Sequence, residues 1–153
     1  GFSLAFCHQT PTLFRQIPSG QSGITFNNLV TENDSINPLD MEFLYNGGGV
    51  AVGDFNRDGL PDLYFTGSQV SNKLYLNKGH FNFRDVTEEA GVSGENRWCN
   101  SASVVDINND GWPDIYVCTS IKKDPSQRAN LLYIIQGNDR DGIRGFRDGS
   151  AAY

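Results

Sequence analysis

Basic residues are scarce: 12 Lys and Arg stand against 18 Asp and Glu in 153 residues, a formal net charge of −6. That shortage speaks against nucleic acid as a partner, because counterion-releasing phosphate contacts need a surplus of lysine and arginine. Long hydrophobic runs are missing as well; no stretch approaches the roughly 18 apolar residues of a membrane-spanning helix. Histidine is limited to His8 and His80, and cysteine to Cys7, Cys99 and Cys118. None of them sits in a pattern that marks a general base or an activated nucleophile. Charged residues make up only 20% and hydrophobic ones 38%, a balance too apolar and too weakly charged for a disordered chain. Glycine is plentiful, with 17 residues, and asparagine accompanies it. This is turn-rich chemistry in a length that suits about one domain, and it points away from a helical bundle.

One segment occurs twice: GDFNRDGLPDLYFTGS from Gly53 and VDINNDGWPDIYVCTS from Val105. Asp54 aligns with Asp106, a shift of 106 − 54 = 52 residues, and the same shift relates Asn56 to Asn108, Asp58 to Asp110, Gly59 to Gly111, Pro61 to Pro113, Asp62 to Asp114 and Tyr64 to Tyr116. The likeness continues where NKLYLNKG from Asn72 meets NLLYIIQG from Asn130, at a shift of 130 − 72 = 58, so residues are inserted in the Lys122 to Ala129 region. Phe83-Arg84-Asp85 then matches Phe146-Arg147-Asp148 at a shift of 146 − 83 = 63. A unit of about 50 residues with variable loops reads as a propeller blade or another repeat array. A third, partial copy opens the chain, where Phe14-Arg15-Gln16-Ile17 and Ser22-Gly23-Ile24 resemble Phe83 to Val86 and Ala90-Gly91-Val92.

Each unit carries strand chemistry. GGGVAVG and NSASVV precede the first aspartate of their units, small and β-branched residues suited to a strand packed closely against neighbouring backbone. Leu63-Tyr64-Phe65 and Ile115-Tyr116-Val117 make a second strand, Leu74-Tyr75-Leu76 and Leu131 to Ile134 a third, and Phe83 to Val86 a fourth. The expected fold is therefore all-β: about two four-stranded blades, the blade count of a β-propeller. Thr87 to Ala90 is the one helix-like signal, a single turn with Thr87 as N-cap and Gly91 as its stop. The chain divides into a signal or lipobox remnant or disordered segment (1–13), the last strand of a preceding blade with a linker (14–46), a first blade (47–98) and a second, incomplete blade (99–153). Two blades do not close a ring, which makes the chain read as a fragment.

The loops between first and second strands carry the chemistry. Asp54 to Asp62 and Asp106 to Asp114 both follow D-x-N-x-D-G-x-x-D. Oxygen side chains at alternate positions, with glycine at the sixth for the sharp turn, suit a hard cation with several oxygen ligands. The expected ligands are Asp54, Asn56, Asp58, the Leu60 carbonyl and Asp62 in one loop, and Asp106, Asn108, Asp110, the Trp112 carbonyl and Asp114 in the other. Two calcium ions fit this donor set; zinc prefers histidine or cysteine, and magnesium demands stricter octahedral geometry. The competing reading is a polar turn whose Asx side chains bond their own backbone. An EF-hand closes with an acidic residue at position twelve and leads into a helix. Phe65 and Val117 hold that position here, and strand formers surround them.

The paired DFNRDGLPD and DINNDGWPD loops, each flanked by strand segments, resemble the FG-GAP or VCBS repeats of calcium-binding β-propellers. More narrowly, FLYNGGGVAVGDFNRDGLPDLYFTG, NKLYLNKG, FRDVTEEAGV and NLLYIIQGND resemble bacterial extracytoplasmic proteins that often end in an ASPIC/UnbV domain. The resemblance covers roughly Phe14 to Phe146. It implies about two blades of a roughly seven-bladed, calcium-stabilised propeller. It departs from the pattern at Ile135, where the first unit has Asn77, and after Asp148.

Cys99 precedes the first strand of the second unit and Cys118 ends its second strand, so antiparallel pairing is expected to bring them within disulfide reach. Cys7 follows Leu4-Ala5-Phe6, a lipobox-like tripeptide with Phe6 where a small residue is usual. It is either a lipid anchor, the only membrane attachment expected, or part of a signal remnant or a plain thiol. Export agrees with calcium use and with disulfides. Trp112 either covers the blade edge or offers a stacking platform for sugar. The reading is a non-catalytic, calcium-binding extracytoplasmic module that acts in binding or adhesion, or as a scaffold, toward a protein or polysaccharide. Its alternative is the non-catalytic part of a larger secreted enzyme or of a polysaccharide-uptake surface protein.

Overall fold

The computed structural model describes residues 13–120, 124–137, 142, 143 and 145–151. Strands β1 (Val50–Gly53), β2 (Asp62–Phe65), β3 (Lys73–Asn77) and β4 (Phe83–Asp85) form one antiparallel sheet in sequence order. Strands β5 (Cys99–Val105), β6 (Asp114–Thr119), β7 (Leu131–Ile135) and β8 (Phe146–Asp148) form a second with the same order. The register repeats too: Gly53 faces Asp62 and Val105 faces Asp114, so each aspartate loop closes a β1–β2 type hairpin at the same point. The fourth strand of the second unit is present despite the divergence after Asp148. Its extension keeps the pattern, because Ser150 Oγ accepts from the Leu132 amide as Thr87 Oγ1 accepts from the Leu74 amide.

Strand alternation explains which residues the sheets bury. On the first sheet, Ala51, Tyr64, Leu74 and Leu76 point toward the second sheet; Val104, Ile115, Val117, Leu131, Tyr133 and Ile135 of the second point back, in one shared core. The innermost strands β1 and β5 run close together, and this is where the small residues matter. A Cβ on Gly49 would lie 2.7 Å from the Ser101 Cα, closer than real Cβ contacts allow. Glycine at this position is what lets the two backbones approach. Phe55, second residue of the first aspartate loop, is fully buried between the sheets and meets Phe146 edge-on at 6.0 Å between ring centroids.

A hydrogen-bonded clasp recurs in each sheet. The Asn72 amide donates to Tyr64 Oη at 2.8 Å while its Oδ1 accepts from the Gly67 amide; Asn130 does the same to Tyr116 Oη at 2.7 Å and the Thr119 amide. Both pairs tie the end of the second strand to the start of the third. In the first sheet the pair is buried, so its polar atoms must be satisfied internally.

Helical turn α1 (Ser19–Ser22) ends at Gly23 and α2 (Thr87–Ala90) at Gly91, both glycines left-handed at φ 74° and 71°. The Cβ direction of Gly23 points at the Phe83 carbonyl and that of Gly91 at the Phe146 carbonyl. The opening segment therefore lies over the first sheet as the end of the first unit lies over the second. Residues 15–18 have no regular secondary structure.

Two expectations are corrected. Thr87 does not cap α2; Val86 holds the cap position, and the Thr87 hydroxyl instead donates to Asp85 and accepts from the Leu74 amide. Cys99 and Cys118 are free thiols rather than a disulfide. Cys99 faces Thr119 and Ser101 faces Cys118 across the bulged register, so the two cysteines project from opposite faces of the sheet. Cys99 is buried, and its sulfur accepts from the Asn72 amide at 3.4 Å. Burial pushes its thiol up. Cys7 and the lipobox-like tripeptide lie outside the described residues.

Candidate metal centre

The two aspartate loops fold alike, atom by atom. Asp54 Oδ1 accepts from the Asp58 amide and Oδ2 from the Gly59 amide; Asp106 accepts likewise from Asp110 and Gly111, all at 2.8–3.1 Å. Asn56 and Asn108 each accept from the amide two residues on and donate to the outer oxygen of Asp58 or Asp110. Asp58 and Asp110 accept from the amides of Leu60 and Trp112. Residues 57 and 109 take the left-handed conformation, at φ 56° and 57°, and Gly59 and Gly111 both lie at φ 84°. Arginine at such a φ is uncommon, whereas asparagine tolerates it.

The closing carboxylates do something the spacing did not reveal. Asp62 is fully buried; Oδ2 accepts from the Phe55 amide at 2.9 Å and Oδ1 from the Asn77 amide at 2.8 Å. Asp114 repeats this with Ile107 and Ile135; the carboxylate uses only third-strand backbone, so Ile135 can stand where Asn77 does, without the bonds the Asn77 side chain makes to the Pro61 carbonyl and from the Gly79 amide. Each carboxylate joins its loop to the third strand. Burial pushes the Asp62 carboxyl up to about 6, with Asp58 and Asp54 adding repulsion against the two amide bonds, and burial raises Asp114 in the same direction.

The donor set fits a hard cation in kind: each loop offers carboxylate, amide and carbonyl oxygens only, spaced as the repeat requires. The side-chain oxygens are at the same time turned onto the loop's own amides, as in an Asx turn. Among the described residues, no group of three or more His, Cys, Asp or Glu side chains is gathered closely enough to hold an ion. Seating one would therefore require Asp58 and Asp110 to exchange amide hydrogen bonds for metal bonds.

Arg57 joins the loops to each other. Its guanidinium lies over the Trp112 ring at 4.0 Å from the centroid, and Nη2 donates to the Gly111 carbonyl. Trp112 is partly buried against the core, so one ring face is already occupied and the sugar-platform reading loses its geometry. The motif spacing missed Arg57 because the second loop has Asn109 there; only the pair of left-handed residues marks the site. The Asn72–Tyr64 and Asn130–Tyr116 clasps were in view as repeated letters without an assigned role. His80 is an exposed turn residue; His8 lies outside the described residues. Among the described residues, no helix is long and apolar enough to cross a membrane.

A sequence model of the FG-GAP-like repeat matches residues 54–117, from the first loop through most of β6. That family is generally a non-catalytic repeat module. No curated protein matches the chain.

Proposed function

We propose that this β-propeller-like repeat module binds calcium, one ion to each aspartate loop, and serves an exported protein in binding or adhesion or as a scaffold, without catalysis of its own. The observation that carries the reading is the identity of the two loops down to single hydrogen bonds, centred on oxygen donors. Asp54, Asn56, Asp58, the Leu60 carbonyl and Asp62 would hold one ion; Asp106, Asn108, Asp110, the Trp112 carbonyl and Asp114 would hold the other. A bound cation would supply charge neutralisation at the three carboxylates of each loop once they turn onto it, and tie the first two strands of each sheet together. Export rests on the Leu4–Cys7 segment and on the calcium available outside the cell. A protein or polysaccharide surface is the proposed partner.

Calorimetric titration with CaCl2, together with circular dichroism melts in calcium and in EDTA, tests this. Two sites are expected, with a melting temperature that falls in EDTA. Asp58→Ala and Asp110→Ala should each remove one site. No heat of binding and identical melts would leave both loops as polar turns and end the calcium reading.

A further inference from the structure

Among the described residues, glycine directly follows an asparagine or aspartate at Asn46–Gly47, Asp58–Gly59, Asp110–Gly111 and Asp148–Gly149. Such pairs are chemically weak, because glycine has no Cβ to shield its amide nitrogen from the side-chain carbonyl carbon before it. The fold protects three of the four. The Gly59 and Gly111 amides donate to Asp54 and Asp106 at 2.9 and 2.8 Å, and the Gly149 amide donates to the Leu132 carbonyl at 2.7 Å. The carboxylates of Asp58, Asp110 and Asp148 in turn accept from the amides two residues on. Nitrogen and carboxylate are each held by another partner and do not meet. Asn46–Gly47 lacks these restraints. No described residue accepts from the Gly47 amide. Both residues are exposed and outside regular structure, in the connection that enters β1 rather than on a sheet face. A neutral amide also accepts a nucleophile more readily than a carboxylate does, and this is the one Asn-Gly pair in the sequence.

We propose that Asn46 is a site of spontaneous modification, converting to aspartate and isoaspartate through a cyclic imide with Gly47. The Gly47 nitrogen, deprotonated by hydroxide, attacks Asn46 Cγ; an N–C bond forms, the Cγ–Nδ2 bond breaks, and Nδ2 leaves as ammonia with a proton from water. The five-membered ring then takes up one water. Opening at Cγ gives aspartate, and opening at the Asn46 main-chain carbonyl gives isoaspartate, whose chain runs through the former side chain. One water enters and one ammonia leaves, with no oxidant or cofactor. The surroundings decide where the extra main-chain atom of the isoaspartate goes. Leu44 is buried on one side, and on the other a Cβ on Gly48 would collide with the Thr66 carbonyl while the Gly49 amide donates to Thr66 Oγ1 at 2.6 Å. Between these anchors Gly47 stands left-handed at φ 77° with open space where a Cβ would be. The added atom therefore bulges outward at Gly47, the strand register holds, and the chain gains one negative charge at the entry to β1. None of these steps uses an oxygen of either aspartate loop.

Peptide mapping by mass spectrometry tests it on the full chain, aged in oxygen-18 water from neutral to mildly alkaline pH, folded and in urea, with circular dichroism confirming the folded samples. Asn46 is expected to be the first residue converted in the folded chain, faster as the pH rises, with one oxygen-18 per product and both isomers resolved by electron-transfer fragmentation. Its rate should be of the same order folded and unfolded, whereas Asp58, Asp110 and Asp148 isomerise only in urea. Asn46→Gln, whose longer side chain cannot close the five-membered ring, should melt as the wild type does and gain no charge on ageing. Conversion of Asn46 an order of magnitude slower folded than unfolded would overturn the proposal. So would isomerisation of the three aspartates in the folded chain as fast as Asn46 converts, or an Asn46→Gln chain that gains charge at the wild-type rate.

Discussion

Replacing Phe55 and its repeat counterpart Ile107 by alanine separates what a position in the motif does from what its burial does. Both are the second residue of the same nine-residue loop, and both loops have the same hydrogen bonds. Phe55 is 0% exposed in the shared core and Ile107 is 37% exposed. Truncating a fully buried phenylalanine typically costs about 3–5 kcal/mol through lost transfer energy and the cavity left behind, and the lost edge contact with Phe146 adds about 0.5–1.5 kcal/mol where it is not already counted. Alanine at a partly exposed site should cost about 1 kcal/mol or less. A chain of this length is expected to have about 5–15 kcal/mol in total, so Phe55→Ala should remove about a fifth of it or more. Because Phe55 spans the two sheets, the transition should also broaden as they unfold less cooperatively. Urea melts at dilute protein, followed by circular dichroism, measure this. Equal losses in the two variants would refute the packing of Phe55 between the sheets, since the cost would then belong to the loop and not to the contact between them.

The buried carboxyls give a pH dependence of defined sign. Asp62, raised to about 6 by burial from 3.8, holds its proton more tightly folded than unfolded, so its penalty on folding is present above pH 6 and fades as the pH falls toward 4. In EDTA the wild type should therefore gain stability relative to Asp62→Asn on going from pH 7 to about 5, by up to about 1.3 kcal/mol, roughly one unit's worth at 1.36 kcal/mol per unit; parallel melts would refute the buried, raised carboxyl. Asp85, whose hydrogen bonds from Thr87 and Lys73 outweigh its partial burial and hold it low, acts in the opposite sense at lower pH in both proteins. Alkylation mapped by mass spectrometry should label Cys118 in the native protein and Cys99 only after unfolding. Recovery of a Cys99–Cys118 peptide without reductant would overturn the strand register of β5 and β6.

The fold was legible because the repeat aligns two independent copies of every strand, and a noisy strand signal becomes firm when it recurs at one offset. Element bounds shifted by a residue or two for lack of any local marker. The cysteine pairing was not legible: it turns on a bulge at Cys99–Ser101, and a one-residue change of register reverses the face each side chain takes. The Thr87 cap failed similarly, because the hydroxyl had a better partner on β3 that the local sequence does not show. The loops stood out by their letters, but the second carboxylate function, bonding the third-strand amides at Asn77 and Ile135, needed distant backbone in place.

By itself the sequence determined the repeat, seven of the eight strands and the two oxygen-rich loops, since these depend on local alternation and spacing within some ten residues; the last strand, β8, was settled only by its pairing with β7. Only the tertiary structure decided that Phe55 is buried while Ile107 is left open, that Arg57 reaches from one loop to the other, and that Cys99 and Cys118 stay apart. Those outcomes depend on which face of one sheet meets the next, and equivalent letters in a repeat become inequivalent wherever one copy has a neighbour and the other does not.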